Sequence, residues 1–92
     1  MLFFWDHVEV LRAYRAGGIF VEANSVEQAR EFVVRDFEAY LRTRYDYLFY
    51  NGQPFGEDAA EELEGKRAQL LKDLELLPVQ VTKGAIFVEG SE

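Results

Sequence analysis

The chain contains no cysteine, so neither a disulfide framework nor a thiolate metal site can hold its fold together. A domain of 92 residues must then depend on its hydrophobic core, and a chain of this size can bury roughly 60–70% of its unfolded surface. Hydrophobic residues make up 49% of the sequence and aromatic residues 15%, which excludes intrinsic disorder. We expect one domain over residues 1–92, because two independent cores would need a longer chain.

The charge balance restricts the partners that the protein can have. Seventeen acidic residues against ten basic ones give a net charge of −7, which repels phosphate backbones and anionic lipids. We therefore expect no direct nucleic-acid binding and no membrane association. The sequence shows no signal peptide and no apolar run long enough to span a bilayer, and together with the absence of cysteine this predicts a cytoplasmic protein.

Two amphipathic segments predict helices. Ser25 is a suitable N-cap with Gln28 three residues later, and the apolar residues that follow recur at helical spacing, so the first helix is expected over residues 25–44. The second is expected over residues 57–76, where leucines recur at helical spacing. Gly65 weakens this helix by about 1 kcal/mol relative to alanine. Pro78 ends it.

Short apolar or alternating runs predict strands near residues 2–5, 18–24, 79–83 and 85–89. The last two flank Lys83-Gly84, which predicts a closing hairpin. Residues 6–16 fit two alternatives, a helical turn that begins at Asp6 or a continuation of the first strand. The predicted fold class is α+β, with a small, mostly antiparallel sheet and two helices packed on one face.

No residue pattern points to catalysis or to a cofactor. His7 is the only histidine, and without cysteine or a second histidine it lacks partners for a transition-metal site. The serines and threonines do not lie near an evident general base, and no glycine-rich phosphate loop is present. We therefore expect a protein that is not an enzyme and uses no cofactor.

A dense group of aromatic residues precedes the second helix, between residues 45 and 55, and five acidic residues follow within positions 57–64. Tyrosine combines an apolar ring with a polar tip and is enriched at interaction hot spots. The alternative is structural: the rings belong to the core, and the acids complement the helix dipole in solvent. The predicted binding residues are four aromatic anchors and a rim of four acids: Tyr45, Tyr47, Tyr50, Phe55, Glu57, Asp58, Glu61 and Glu62.

About a third of the chain resembles small accessory proteins found in phages and prophages. The resemblance is carried by the opening run Leu2-Phe3-Phe4-Trp5, by the segments 10–14 and 18–30, and by the closing Val81-Thr82-Lys83-Gly84. Such proteins begin with a short hydrophobic strand and continue through a V-L-x-x-Y segment into a G-I-x-V-x-A strand and a capped helix. The resemblance implies an accessory role, in which the protein binds and modulates a host protein, and it carries no catalytic or binding residues with it.

Three functions follow from these observations as hypotheses. The first is a protein-binding module, such as a phage-encoded modulator or inhibitor of a host enzyme or defence complex. The second is a DNA mimic, in which the acidic run at 57–64 occupies a nucleic-acid channel. The third is an enzyme or small-ligand binder with His7 and the acids gathered in one pocket. Homodimerisation by sheet-edge pairing or through the aromatic group is a further expectation.

Overall fold

A computed structural model of the protein describes residues 1–12, 17–85 and 87. In chain order the strands and helices are β1 (Leu2–Val8), β2 (Gly17–Glu22), α1 (Val26–Arg44), β3 (Phe49–Tyr50), β4 (Gln53–Pro54), α2 (Glu57–Asp73) and β5 (Val79–Val81). Short 3-10 turns occupy Glu9–Leu11 and Asp46–Leu48. The fold is α+β, as the sequence predicts.

The main sheet has the strand order β2-β1-β5, and both pairs of neighbours are antiparallel. Phe3 and Trp5 point to the face that packs on the two helices, and both are almost completely buried. Phe4 points to the opposite face, where its ring stacks on that of Phe20 with 4.2 Å between the ring centroids. A side chain at Gly18 would collide with the Phe4 ring, so glycine is required for this close approach. The helices thus cover one face of the sheet only.

The two alternatives for residues 6–16 are partly decided by a bulge in β1. The strand continues to Val8, but its register against β2 shifts between Trp5 and Val8, and His7 has a φ of 53°. The extra residue turns Val8 back to the helix-facing side, where it is buried. The chain then enters the 3-10 turn at Glu9, and residues 13–16 lie outside the described part.

The first helix follows its prediction closely. Ser25 is the N-cap, and its hydroxyl accepts a hydrogen bond of 3.1 Å from the Gln28 backbone N–H. The Gln28 side chain accepts in turn from the Asn24 N–H at 2.7 Å. The apolar side of the helix buries residues at helical spacing: Ala29, Val33, Phe37 and Leu41.

The second helix ends at Asp73, three residues earlier than its predicted end at Leu76. If the helix continued, the Leu74 carbonyl would accept from the backbone N–H of residue 78, but that residue is proline and has none. The Arg30 side chain donates to the Leu74 carbonyl instead, at 2.9 Å, and Trp5 Nε1 donates to the Leu76 carbonyl at 2.9 Å. Distant side chains therefore take over the carbonyls that the helix leaves free.

The C-terminal predictions are met only in part. The strand predicted over 79–83 is present as β5, which is three residues long. The strand predicted over 85–89 lies largely outside the described residues, and so does the second arm of the hairpin predicted at Lys83-Gly84. Within the described ranges, no helix combines the length and the apolar character that crossing a membrane requires.

Candidate protein-binding surface

A short hairpin presents the predicted aromatic group. Strands β3 and β4 pair antiparallel, with Tyr50 opposite Gln53. The two residues between them, Asn51 and Gly52, have φ values of 51° and 79°. Positive φ at both positions is what a two-residue hairpin turn needs, and Asn-Gly is the sequence that tolerates it best. The Phe55 N–H donates to the Leu48 carbonyl at 2.8 Å and closes the base of the hairpin.

The structure divides the four predicted aromatic anchors into two contacting pairs. Tyr50 and Phe55 meet edge to face, with 6.3 Å between their ring centroids, and Tyr45 and Tyr47 do so at 6.2 Å. Three of these rings are largely in solvent, with exposed fractions of 67% for Tyr47, 66% for Tyr50 and 72% for Phe55. Exposed aromatic pairs cost hydrophobic free energy in the isolated protein, and this free energy is recovered when a partner covers them.

Tyr45 differs from the other three. It is half-buried, packs against the core and also meets Tyr40 edge to face. The Lys66 ammonium lies over its ring, 4.2 Å from the centroid, in a cation–π contact that the sequence analysis did not identify. Tyr45 therefore contacts Tyr47 and is less exposed than the other three predicted anchors.

The four predicted acidic residues lie on the exposed side of α2. The helix begins at Glu57, directly after the hairpin, and buries Ala59 and Leu63 on its inner side. At positions i, i+1, i+4 and i+5 the acids form one ridge that faces away from those residues. Among the residues that the structure describes, no basic side chain lies within ion-pair distance of the four carboxylates: Glu57, Asp58, Glu61 and Glu62.

Chain continuity joins these two features into one surface. Only Gly56 separates Phe55 from Glu57, so the aromatic pair stands at the N-terminal end of the acidic ridge. We call the set of Tyr50, Phe55 and the four acids the aromatic–acidic surface. Glu64, the fifth acid of the run, is not part of it, because its carboxylate accepts from Arg67 at 2.6 Å.

The pocket required by an enzymatic or ligand-binding function is not where the sequence would place it. His7 is exposed, and its Nε2 lies 3.6 Å from a carboxylate oxygen of the neighbouring Asp6. Two grooves of the described chain are lined by neither His7 nor the acidic ridge. In the same ranges, no three carboxylate or imidazole groups converge as metal ligands.

Phe20 is an exposed aromatic residue that the sequence analysis did not single out. It belongs to β2, which the sequence predicts as a strand. The helices cover only the side of the sheet that Ile19 and Val21 face, so Phe20 lies 56% exposed on the other side. The alternation of side chains between the two faces of a strand, together with helices on one face of the sheet, would have identified Phe20 as exposed.

Comparisons of this chain with protein-family models, with curated proteins and with solved structures found no match.

Proposed function

We propose that this chain is a non-enzymatic protein-binding module whose aromatic–acidic surface binds a basic protein. The carrying observation is that the exposed ring pair of Tyr50 and Phe55 is followed directly by a helix whose first carboxylates have no ion-pair partner among the described residues. Aromatic rings supply the buried centre of an interface, and charged groups supply its rim. The resemblance to phage accessory proteins supports a modulator or inhibitor of a host enzyme or defence complex, acting in the cytoplasm.

The charge of the surface defines the chemistry of its partner. Four carboxylates without an ion-pair partner in the described part of the chain favour lysine and arginine side chains on the opposing protein, and a ring face also attracts a guanidinium group. A second copy of this chain fits this surface poorly, because a two-fold contact would bring like carboxylates together. The partner that we infer is therefore a different protein with an arginine- or lysine-rich face.

The experiment is capture of partners from the lysate of the host, with the wild-type protein and two variants compared at low and moderate salt. The double variant Tyr50→Ala/Phe55→Ala should retain its fold and lose the captured protein. Removal of hot-spot rings weakens binding by about tenfold or more. Equal capture by this variant would place the binding site elsewhere.

Charge variants test the acidic ridge separately. Glu61→Gln/Glu62→Gln should weaken capture, and the matched control Glu27→Gln/Glu31→Gln, which removes two exposed acids from α1, should not. If both weaken it equally, net charge rather than this surface attracts the partner.

The DNA-mimic function predicts a different result in the same experiment. DNA would displace the captured protein, the acid variant would lose it, and the aromatic double variant would bind as the wild type does.

A further inference from the structure

Strand β2 lies at an edge of the main sheet, and its outward hydrogen-bonding groups can be identified. The Ala23 N–H donates to the Met1 carbonyl at 2.9 Å, so this residue bonds towards β1. Backbone groups alternate in direction along an antiparallel strand. Val21 and Ile19 therefore also bond towards β1, whereas the N–H and C=O groups of Gly18, Phe20 and Glu22 point away from the sheet.

This edge has few of the features by which proteins usually protect an edge strand, since Glu22 is its one charged side chain. Residues 18–22 contain no lysine and no proline, and the bulge of this strand pair lies in β1. Beside the edge, α1 leaves a groove of about 530 Å³ that is lined mainly by apolar side chains, among them Ile19, Val21, Phe32 and Tyr40. The edge thus combines backbone groups that have no partner strand among the described residues with an adjacent apolar groove.

We propose that a second copy of this chain occupies the edge, with β2 paired antiparallel to β2 of the other copy about a two-fold axis at Phe20. In this register Phe20 lies opposite Phe20 of the second copy, and Gly18 lies opposite Glu22. The pairing uses all three outward residues of each strand. The result is one continuous six-stranded sheet.

Charge and the number of paired backbone groups both favour this register, since an axis one residue to either side of Phe20 would pair only two outward residues of each strand. A two-fold axis at Glu22 would place two carboxylates directly opposite each other, which is destabilising in an antiparallel pair. An axis at Gly18 would leave Glu22 beyond the strand of the second copy. The axis at Phe20 sets each Glu22 against a glycine and extends the Phe4–Phe20 stack into a row of four rings across the dimer.

The same register brings apolar side chains of the second copy to the groove beside α1. Ile19 and Val21 point to the helix-facing side, so those of the second copy lie next to the groove lined by Phe32 and Tyr40. Arg35 and Asp36 line this groove as well and form an ion pair of 2.8 Å, and Glu22 adds one further carboxylate to the lining. The β2 edge and the aromatic–acidic surface consist of different residues, so an experiment that contradicts one proposal leaves the other unaffected.

Replacement of one residue on each edge strand by lysine tests the proposal. Phe20 and Val79 are both cross-strand neighbours of Phe4 on the same sheet face, with exposed fractions of 56% and 51%. Phe20→Lys places like charges across the two-fold axis and should raise the dimer Kd about tenfold or more, measured by sedimentation or light scattering. Val79→Lys, on the opposite edge strand, should leave the dimer unchanged.

Any other result with the two lysine variants contradicts the proposal. Loss of the dimer in both variants would indicate face-to-face packing, and loss in Val79→Lys alone would indicate pairing through β5. A wild-type protein that stays monomeric at high concentration would overturn it as well. Higher salt should strengthen the dimer because it screens repulsion between two chains of net charge −7, whereas it weakens binding of a basic partner.

Disulfide trapping tests the register without depending on the stability of a lysine variant. The chain has no cysteine, so Phe20→Cys introduces a single thiol. Opposite Cα atoms in a hydrogen-bonded antiparallel pair lie about 5.5 Å apart, a separation that a disulfide spans. Mild oxidation should give a covalent dimer with Phe20→Cys and not with the control Val79→Cys, and equal or absent cross-linking in the two would contradict the register.

Discussion

The two halves of α2 are attached to the rest of the molecule in different ways. In the C-terminal half, Leu70 is buried in the core, as is Leu74 directly after the helix, and the Asp73 carboxylate accepts from the Val10 N–H at 2.9 Å. Arg67 also reaches across to Glu38 on α1, with two hydrogen bonds of 2.9 Å. The N-terminal half contributes Ala59 and Leu63 to the interior and presents carboxylates and neighbouring aromatic rings to solvent.

This contrast separates residues that maintain the fold from residues that are available for binding. The buried side chains of the C-terminal half can change only at a cost in packing or in hydrogen bonding. The rings of Tyr50 and Phe55 stabilise little, because they are exposed, and yet they are large and apolar. Exposed groups of this kind are better explained by an interaction than by folding, and the predictions below measure that difference.

The largest expected effect comes from truncation of a core residue in the C-terminal half. Leu70→Ala should lower the free energy of unfolding by about 2–5 kcal/mol, because it leaves a cavity among buried side chains. Phe55→Ala removes a larger side chain and should change it by no more than about 0.5 kcal/mol. Urea denaturation of both variants makes the comparison, and equal losses would show that the hairpin ring is structural.

Removal of the buried carboxylate should have the next largest effect. Asp73 accepts from the Val10 N–H and from the Gln69 side chain, each at 2.9 Å. Asp73→Ala leaves both donors without this acceptor and should cost about 1–3 kcal/mol. The control Asp58→Ala removes an exposed acid from the other half of α2 and should cost much less. A small effect at Asp73 would remove the contrast between the halves.

Gly65 lies where the two halves meet, and its replacement should stabilise the protein. Nothing lies within 4 Å of the position that a Cβ atom would occupy there. Gly65→Ala should therefore raise the free energy of unfolding by about 0.5–1 kcal/mol, the usual difference between these residues in a helix interior. Gly52→Ala should have the opposite sign, because Gly52 has a φ of 79° in the hairpin turn. Thermal unfolding of the two variants tests both signs.

The elements that depend on local sequence were predictable. The Ser25 cap, the apolar stripe of α1 and the strand character of β2 all arise from residues close together in the chain, and the α+β class follows from them. The turn at Asn51-Gly52 also depends on local sequence, although the two short strands that flank it were not predicted.

The remaining features depend on contacts between residues that are distant in sequence. The early end of α2 reflects Trp5 and Arg30, whose side chains take the carbonyls of Leu76 and Leu74. Tyr45 is half-buried because α2 brings Lys66 over its ring. The exposed members of the predicted binding residues were therefore easier to recognise from the sequence than Tyr45, whose exposure depends on a tertiary contact.

The smallest expected effect is a dependence of stability on pH at the ion pair that holds α2 to α1. Hydrogen bonds from the Arg67 guanidinium lower the pKa of Glu38 below its ordinary value of 4.5. A carboxylate with a lowered pKa in the folded state stabilises the fold above its unfolded pKa, and this contribution is lost as the pH falls through the folded value. Both side chains are partly exposed, so the pair contributes only about 0.2–1 kcal/mol at neutral pH.

The variant Glu38→Gln isolates this contribution. It should be less stable than the wild type at neutral pH, and the difference should shrink as the pH falls below 4.5, where the wild-type carboxylate becomes protonated. The control Glu31→Gln changes an exposed acid nearer the N-terminal end of α1 and should show no such convergence. Urea midpoints of the three proteins between acidic and neutral pH make the measurement. A difference at Glu38 that stays constant with pH would mean that Arg67 holds α2 through packing of its side chain rather than through its charge, and the C-terminal half would then be fixed by apolar contacts and Asp73 alone.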